Sequence, residues 1–505
     1  MKKKTVLLIL LAVILVAAAV AGVFAYNRYQ QHLAEEARKA EIAAFYANPN
    51  VTMVVTPENM AELELYTDLK TLDLSGSTCY EEIVAFADSH PGVQVRYTVE
   101  LGGLTVAHDT DTLDLAAGSF DYDTLCRNLV YLPQVTSVSL PATDLSYDQI
   151  NELRAAFPNV DVRYTVTFLD QELEEGTTVL DLSAMDPGQM AEVNAAWELL
   201  PVLSTLELMD AEGGSTFSMT DVKALMDSCP GLTVNYSFDF YGQTLTTATE
   251  IVEFQRAEIG NEGEALIRQA LDIMPNCTYF KLDDCGVDST VMASIRDDYP
   301  DTKVVWRIFF GKFNCLTDAE MLRLTNGLKN AHVGELIYCT DVKYMDIGHN
   351  EYLSDISFIP YMPKLELLIL SGSVVDDLSV FENHPSIEFL ELCFCSYVKD
   401  VTPLSTCPNL KYLNISYTAV KDITPLYNVP LERFCCMKTK TTQDQQQMFD
   451  ELHPDAVTRY KGTQCYGYAW RYVDDGITFW DYYANMRVIF MYDDAGYVSG
   501  KEYTR

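Results

Sequence analysis

Seven side chains between residues 389 and 433 carry the chemistry of recognition: Phe389, Glu391, Phe394, Tyr412, Asn414, Tyr417 and Arg433. Four aromatic rings supply broad apolar contact, while one carboxylate, one amide and one guanidinium supply direction. That mixture binds proteins or glycans without making or breaking bonds. The rest of the chain gives catalysis little footing. The seven histidines (His32, His90, His108, His332, His349, His384 and His453) are isolated, and neither a phosphate-cradling glycine loop nor a Gly-x-Ser-x-Gly turn occurs. Asp109, Asp111 and Asp114 beside His108 superficially resemble a calcium loop but lack its glycine and closing glutamate, and read as a solvated acidic loop. We expect no catalytic residue, no cofactor and no metal.

The elements that must position the seven residues are written in a repeat. Four segments begin Asp355-Ile356, Asp377-Leu378, Asp400-Val401 and Asp422-Ile423, spaced by 22, 23 and 22 residues. Each is followed by a proline and an aliphatic residue. Three then run L-x-x-L-x-L: Leu365-Leu368-Leu370, Ile387-Leu390-Leu392 and Leu410-Leu413-Ile415. About 22 residues make one turn of strand, corner and return segment, and no single turn can close its own core. Motif positions one, four and six point inward. Positions three, five, seven and eight then form an outer face carrying Leu367, Ile369 and the seven recognition residues. Ser373, then Cys395 or Ser396, then Thr418 stand at the corner where such motifs usually place asparagine.

This pattern is a leucine-rich repeat. Asp400-Val401-Thr402-Pro403-Leu404 and Asp422-Ile423-Thr424-Pro425-Leu426 resemble the return segments of internalin-type bacterial repeats. The resemblance covers roughly residues 353–436 and implies protein–protein interaction or adhesion by fold analogy. The wall-sorting signal of some members is missing, so attachment is expected from the N-terminus.

A coarser period precedes it. Pro91, Pro158, Pro230 and Pro300 each follow a helical pattern and open a run of alternating apolar residues, such as Val95/Tyr97/Val99 and Val234/Tyr236/Phe238. Period two means a strand with one buried face. Short strands around Leu113, Val138 and Val162, and around Leu180, Leu206 and Val234, recur at 24 to 28 residues. Each unit of about 70 residues therefore reads as three irregular leucine-rich turns, the third continuing into a protruding hairpin. A separate α/β domain is the alternative.

Lys2-Lys3-Lys4 precede an uncharged apolar run over residues 5–25. At about 1.5 Å per residue it reaches roughly 31 Å, close to a bilayer core. An uncleaved, single-pass signal anchor in the cell membrane, with the bulk of the chain extracellular, is favoured over a cleaved signal peptide. Asp and Glu number 73 against 35 Lys and Arg, for a net charge of −38, which repels nucleic acid. The 13 cysteines are scattered, with no Cys-x-x-Cys pair to suggest zinc. Cys393 and Cys395 share a strand face but lie too far apart along it for a comfortable disulfide, so reduced core cysteines are expected.

After residue 440 a short helix is followed by a strongly aromatic segment, including Tyr460, Trp470, Trp480, Tyr482 and Tyr483, and by an alternating run over 487–492 that reads as a terminal hairpin. The segment is read as a cap over the coil, with an independent wall- or glycan-binding module as the alternative. The expected fold is an α/β solenoid: a right-handed leucine-rich coil with irregular longer repeats upstream, an N-terminal transmembrane helix and a small β-rich C-terminal cap. The expected divisions are 1–26 anchor, 27–50 juxtamembrane helix, 51–310 long repeats, 311–352 transition, 353–440 regular repeats and 441–505 cap. The expected function is a membrane-anchored, non-catalytic bacterial surface protein that binds a protein or cell-surface ligand through the outer face. The alternative is a structural envelope protein whose aromatic C-terminal module binds wall or glycan. Whether the outer face meets a partner, solvent or the chain's own C-terminal segment stays open at this level.

Overall fold

A computed structural model describes residues 2–141, 145–169, 171–464 and 470–493. The chain divides into two compact units, residues 1–207 with 228–233, and residues 208–227 with 234–505.

The first unit opens with one helix, Lys2–Tyr46, long and apolar enough in its N-terminal part to cross a membrane. No break separates the apolar run from the polar stretch after residue 26; both lie on the same 45-residue helix, none of whose side chains is buried. Its end is tied down by ring contact between Tyr46 and Tyr66, 5.1 Å apart, and by the Thr67 N–H donating to the Tyr46 carbonyl at 2.9 Å.

Two triplets of parallel strands follow. Val51, Leu72 and Val95 stand in register in the first, and Leu113, Val138 and Val162 in the second. The strand after each of Pro91 and Pro158 leads into an antiparallel hairpin, Thr98–Glu100 with Thr105–Ala107, and Asp161–Phe168 with Gln171–Glu174. Helices such as Tyr147–Ala156 return the chain between strands. Ser146 and Gln149 form a reciprocal cap at its start, and Ile150 and Leu153 bury one face. Burying two such side chains contributes about 3–6 kcal/mol.

The plan recurs: Val179–Asp181 pairs in parallel with Thr205–Glu207, and the second unit holds the hairpin of Ser237–Phe240 with Gln243–Thr246 and then a further triplet. Strands Ile251–Gln255, Tyr279–Asp283 and Lys303–Phe310 are parallel, and Phe313–Leu316 folds back on the last. A seven-stranded parallel sheet then stacks one short strand per turn: Met321–Arg323, Tyr344–Asp346, Leu367–Ile369, Phe389–Glu391, Tyr412–Asn414, Arg433–Cys435 and Val457–Arg459. Regular pairing therefore begins before residue 353, within the stretch read as a transition.

The repeated aspartates have a local cause. Asp355, Asp377, Asp400 and Asp422 each accept the N–H two residues on, at 2.8 to 3.0 Å, which turns the chain into its return segment. The bonds from Thr402 hold the Asp400 carboxyl below its ordinary range. At the corner, Cys395 rather than Ser396 is buried, and its sulfur lies 3.3 Å from Ser373 Oγ. One turn before Ser373, Asn350 fills the usual asparagine role, donating to the Leu324 and Ile347 carbonyls and accepting from the Gly327 and Leu328 N–H groups.

Candidate functional site

The strand residues that point away from the repeat core form two rows across the sheet. Tyr344, Leu367, Phe389, Tyr412 and Arg433 make one, and Asp346, Ile369, Glu391, Asn414 and Cys435 the other. The expected function places a partner on these rows, with coverage by the chain's own C-terminal segment left open. That placement is corrected: the chain's own residues 470–492 lie on them. Phe389 is 0% exposed, its ring 4.9 Å from Trp470 and stacked at 5.6 Å on Tyr482. Tyr412 packs against Trp480 and Tyr482, and Arg433 sits 4.4 Å from the Trp480 ring centre. Glu391 and Asn414 are also buried. The physical reason is apolar area: a row of Leu, Ile, Phe and Tyr left in water costs more than ordering a segment able to cover it.

The covering segment is a helix, Asp481–Ile489, and the hairpin read over 487–492 is not formed. The part of that hairpin beyond residue 493 lies outside the described residues. Tyr483, Met486 and Phe490 recur at three and four residues, and all are buried, whereas Val488 is 76% exposed. That is helical spacing, and it outweighs the apparent alternation. Among the described residues the region after residue 440 holds two helices, Gln443–Leu452 and Asp481–Ile489, the last sheet strand Val457–Arg459 and one isolated bridge, Tyr472 to Phe479, rather than a β-rich cap. Cys393, in the same buried cluster, is disulfide-bonded, which overturns the reduced reading for that residue; Cys395 is free.

The junction is polar as well as apolar. Glu391 accepts from Trp470 Nε1 at 2.5 Å and from Ser371 Oγ at 2.7 Å. Asp346 accepts from the Tyr492 hydroxyl at 2.6 Å. Burial pushes the Asp346 carboxyl up, partly offset by Tyr492, the Gly348 N–H and Arg323. Arg323 donates to the Phe490 carbonyl at 3.0 Å. Burial also raises Tyr492 and Tyr483, each further raised by its acidic neighbour, Asp346 and Glu391 respectively.

Coverage stops short of one rim, where a cleft of about 630 Å³ opens. Its floor is Asp346 and Glu391, its covering wall Arg471, Tyr483, Arg487 and Tyr492, and its lip Asn326, His349, Gly372 and Phe394. The lip residues share a conformation. Asn326, His349, Gly372, Phe394 and Tyr417 all have positive φ, between 59° and 76°, one in each successive turn. Glycine adopts this freely; for Phe394 and Tyr417 it costs about 1–2 kcal/mol each. Their rings stack at 4.4 Å, and Phe394 remains 39% exposed. Of the seven residues selected from sequence, Phe394 lies on the open lip and Tyr417 stacks beside it, while Glu391 floors the cleft. Phe389, Tyr412, Asn414 and Arg433 belong to the covered interface. Arg323, Asp346, His349, Arg471 and Arg487 were missed, although Met321-Leu322-Arg323 and Tyr344-Met345-Asp346 continue the strand spacing upstream. Among the described residues no group of three His, Cys, Asp or Glu side chains is placed to share a metal ion.

The in-register ladder, the aspartate-capped returns and the buried corners decide what the repeats are. Residues 353–436 fold as leucine-rich repeats. No family model and no curated protein matches the chain. Among solved structures it is similar to an internalin (inlF) of Listeria monocytogenes, at 15% identity, with 83% of this chain and 86% of that one covered and a TM-score of 0.26. It is also similar to a leucine-rich-repeat protein of Leptospira interrogans, at 14% identity, with 83% and 98% covered and a TM-score of 0.25. A second Listeria internalin shares 19% identity over 29% of this chain and 75% of its own, with a TM-score of 0.22. The assignment rests on the repeat geometry itself.

Proposed function

We propose that this chain is a non-catalytic binding protein of a bacterial surface, anchored by residues 5–25 with the bulk of the chain outside the membrane. Its protein or cell-surface partner docks at the arginine-bordered cleft and the Phe394–Tyr417 lip, not across the middle of the repeat face. One observation carries this reading. The aromatic rows are spent on the chain's own C-terminal helix, while two aromatic residues at the rim hold a costly left-handed backbone and keep one ring exposed. Strained non-glycine residues cluster where function requires them. Guanidinium groups, a histidine and aromatic edges around a polar cleft suit a polypeptide loop or chain end presenting carboxylate, carbonyl and hydroxyl acceptors. The alternative, an aromatic module that binds wall or glycan, loses support because Trp470, Tyr483 and Phe490 face inward.

The test is site-specific photo-crosslinking on intact cells carrying the full chain. A photoreactive residue at position 394 or 349 is expected to capture a defined partner, and one at exposed Tyr361 is not. Phe394→Asn keeps a residue tolerant of positive φ and is expected to abolish capture from position 349. Capture from all three positions alike, or undiminished capture in the Asn variant, would overturn the assignment.

A further inference from the structure

We propose that Cys315 and Cys339 are a latent disulfide pair, a redox-sensitive staple at the base of the seven-stranded sheet. Cys315 lies on the strand Phe313–Leu316, opposite Ile308 of Lys303–Phe310. Cys339 closes the return helix Asn330–Tyr338, its N–H bonded to the Leu336 carbonyl. Both are free thiols, and their sulfurs stand 3.7 Å apart. A disulfide needs about 2.05 Å, so the sulfurs must approach by roughly 1.7 Å, within reach of side-chain rotation. The bond would tie residues 24 apart and join the last long-repeat hairpin to the first return segment of the regular sheet.

The surroundings set the order of events. Cys339 is fully buried, and its thiol is raised by its contact with Cys315 and by burial, with Glu335 and Asp318 adding to the effect. Cys315 is half-buried and borders an opening of about 210 Å³ together with Arg307, Asn314, Asp318 and Arg323. Cys315 is therefore the sulfur that meets an external oxidant. As thiolate it attacks a small disulfide R–S–S–R, forming Cys315–S–S–R and releasing one RS⁻. Cys339 then loses its proton to solvent and attacks the Cys315 sulfur, expelling the second RS⁻. Two thiols are oxidised to one disulfide, and the donor is reduced to two thiols. The scarcity of Cys339 thiolate makes this second step slow near neutral pH and faster as pH rises.

The experiment treats the full chain in detergent with cystamine, a small disulfide, followed by non-reducing peptide mapping and hydrogen exchange. The expected product is a cross-linked peptide joining Cys315 to Cys339, with the free-thiol count lowered by two. Exchange at residues 313–316 and 336–340 is expected to slow at least tenfold. In Cys339→Ser the reaction is expected to stop at a persistent cysteamine adduct on Cys315. A stable adduct on Cys315 in the wild-type chain, or no reaction of either sulfur under conditions that modify the urea-unfolded chain, would overturn the proposal. The wild-type map decides even if the variant fails to fold, and no readout depends on partner binding at the cleft.

Discussion

Replacing Trp470 by Phe isolates the bond that fixes the covering segment to the repeat face. The indole is fully buried, and its Nε1–H donates to the buried Glu391 carboxylate. Phe keeps most of the apolar contact with Phe389 and removes the donor. A hydrogen bond to a charged acceptor is worth about 1.5–3 kcal/mol, and the smaller ring adds a cavity cost of about 1 kcal/mol. Local opening of residues 470–493 should therefore become roughly 60- to 700-fold more frequent, at 1.4 kcal/mol per tenfold. The repeat strands beneath have their own buried row of Leu368, Leu390 and Leu413 and should keep their protection. Native-state hydrogen exchange resolves the two regions. The same substitution in a Glu391→Gln background separates bond from packing. There the lost bond is neutral and worth about 0.5–1.5 kcal/mol, so the cost of Trp470→Phe should shrink by about 1 kcal/mol or more. Equal cost in both backgrounds would refute the carboxylate's role, and uniform loss of protection across the repeats would refute the picture of a segment docked on an independent coil.

Asp346→Asn should change how segment docking depends on pH. Burial raises the folded-state carboxyl, so its favourable contribution is complete below the unfolded value and is lost as pH rises through the folded one. The stability of wild type relative to the Asn variant, followed by exchange at 481–493, should thus increase as pH falls from 7 toward 4, and a flat difference would count against it. Asp400→Ala removes the cap on Thr402 and should cost about 0.5–2 kcal/mol, seen as faster exchange over Thr402–Thr406, with little change at the neighbouring return Thr424–Asn428. Deleting residues 2–46 should move the chain from the membrane fraction to the soluble fraction, with the circular-dichroism spectrum reduced by the loss of one long helix.

The repeat was legible because it is local. Strand leucines at fixed spacing, a capping aspartate at the head of each return and a small polar corner are each set within one turn, and 22 residues leave few ways to close it. The helices and hairpins around Pro91, Pro158 and Pro300 were legible for the same reason: proline ends a helix, and period two marks a strand. The site was not, because its halves are far apart in sequence. Nothing in the spacing of Phe389 and Glu391 says that Trp470 will reach them, 79 residues on. The run over 487–492 passes for a strand until the repeat face selects Tyr483, Met486 and Phe490 as one side of a helix, Asp481–Ile489. The sequence by itself determined the coil, the acidity and the apolar N-terminal run. The tertiary structure decided which aromatic residues are core and which stay at the lip, because burial is a property of what covers a residue rather than of the residue.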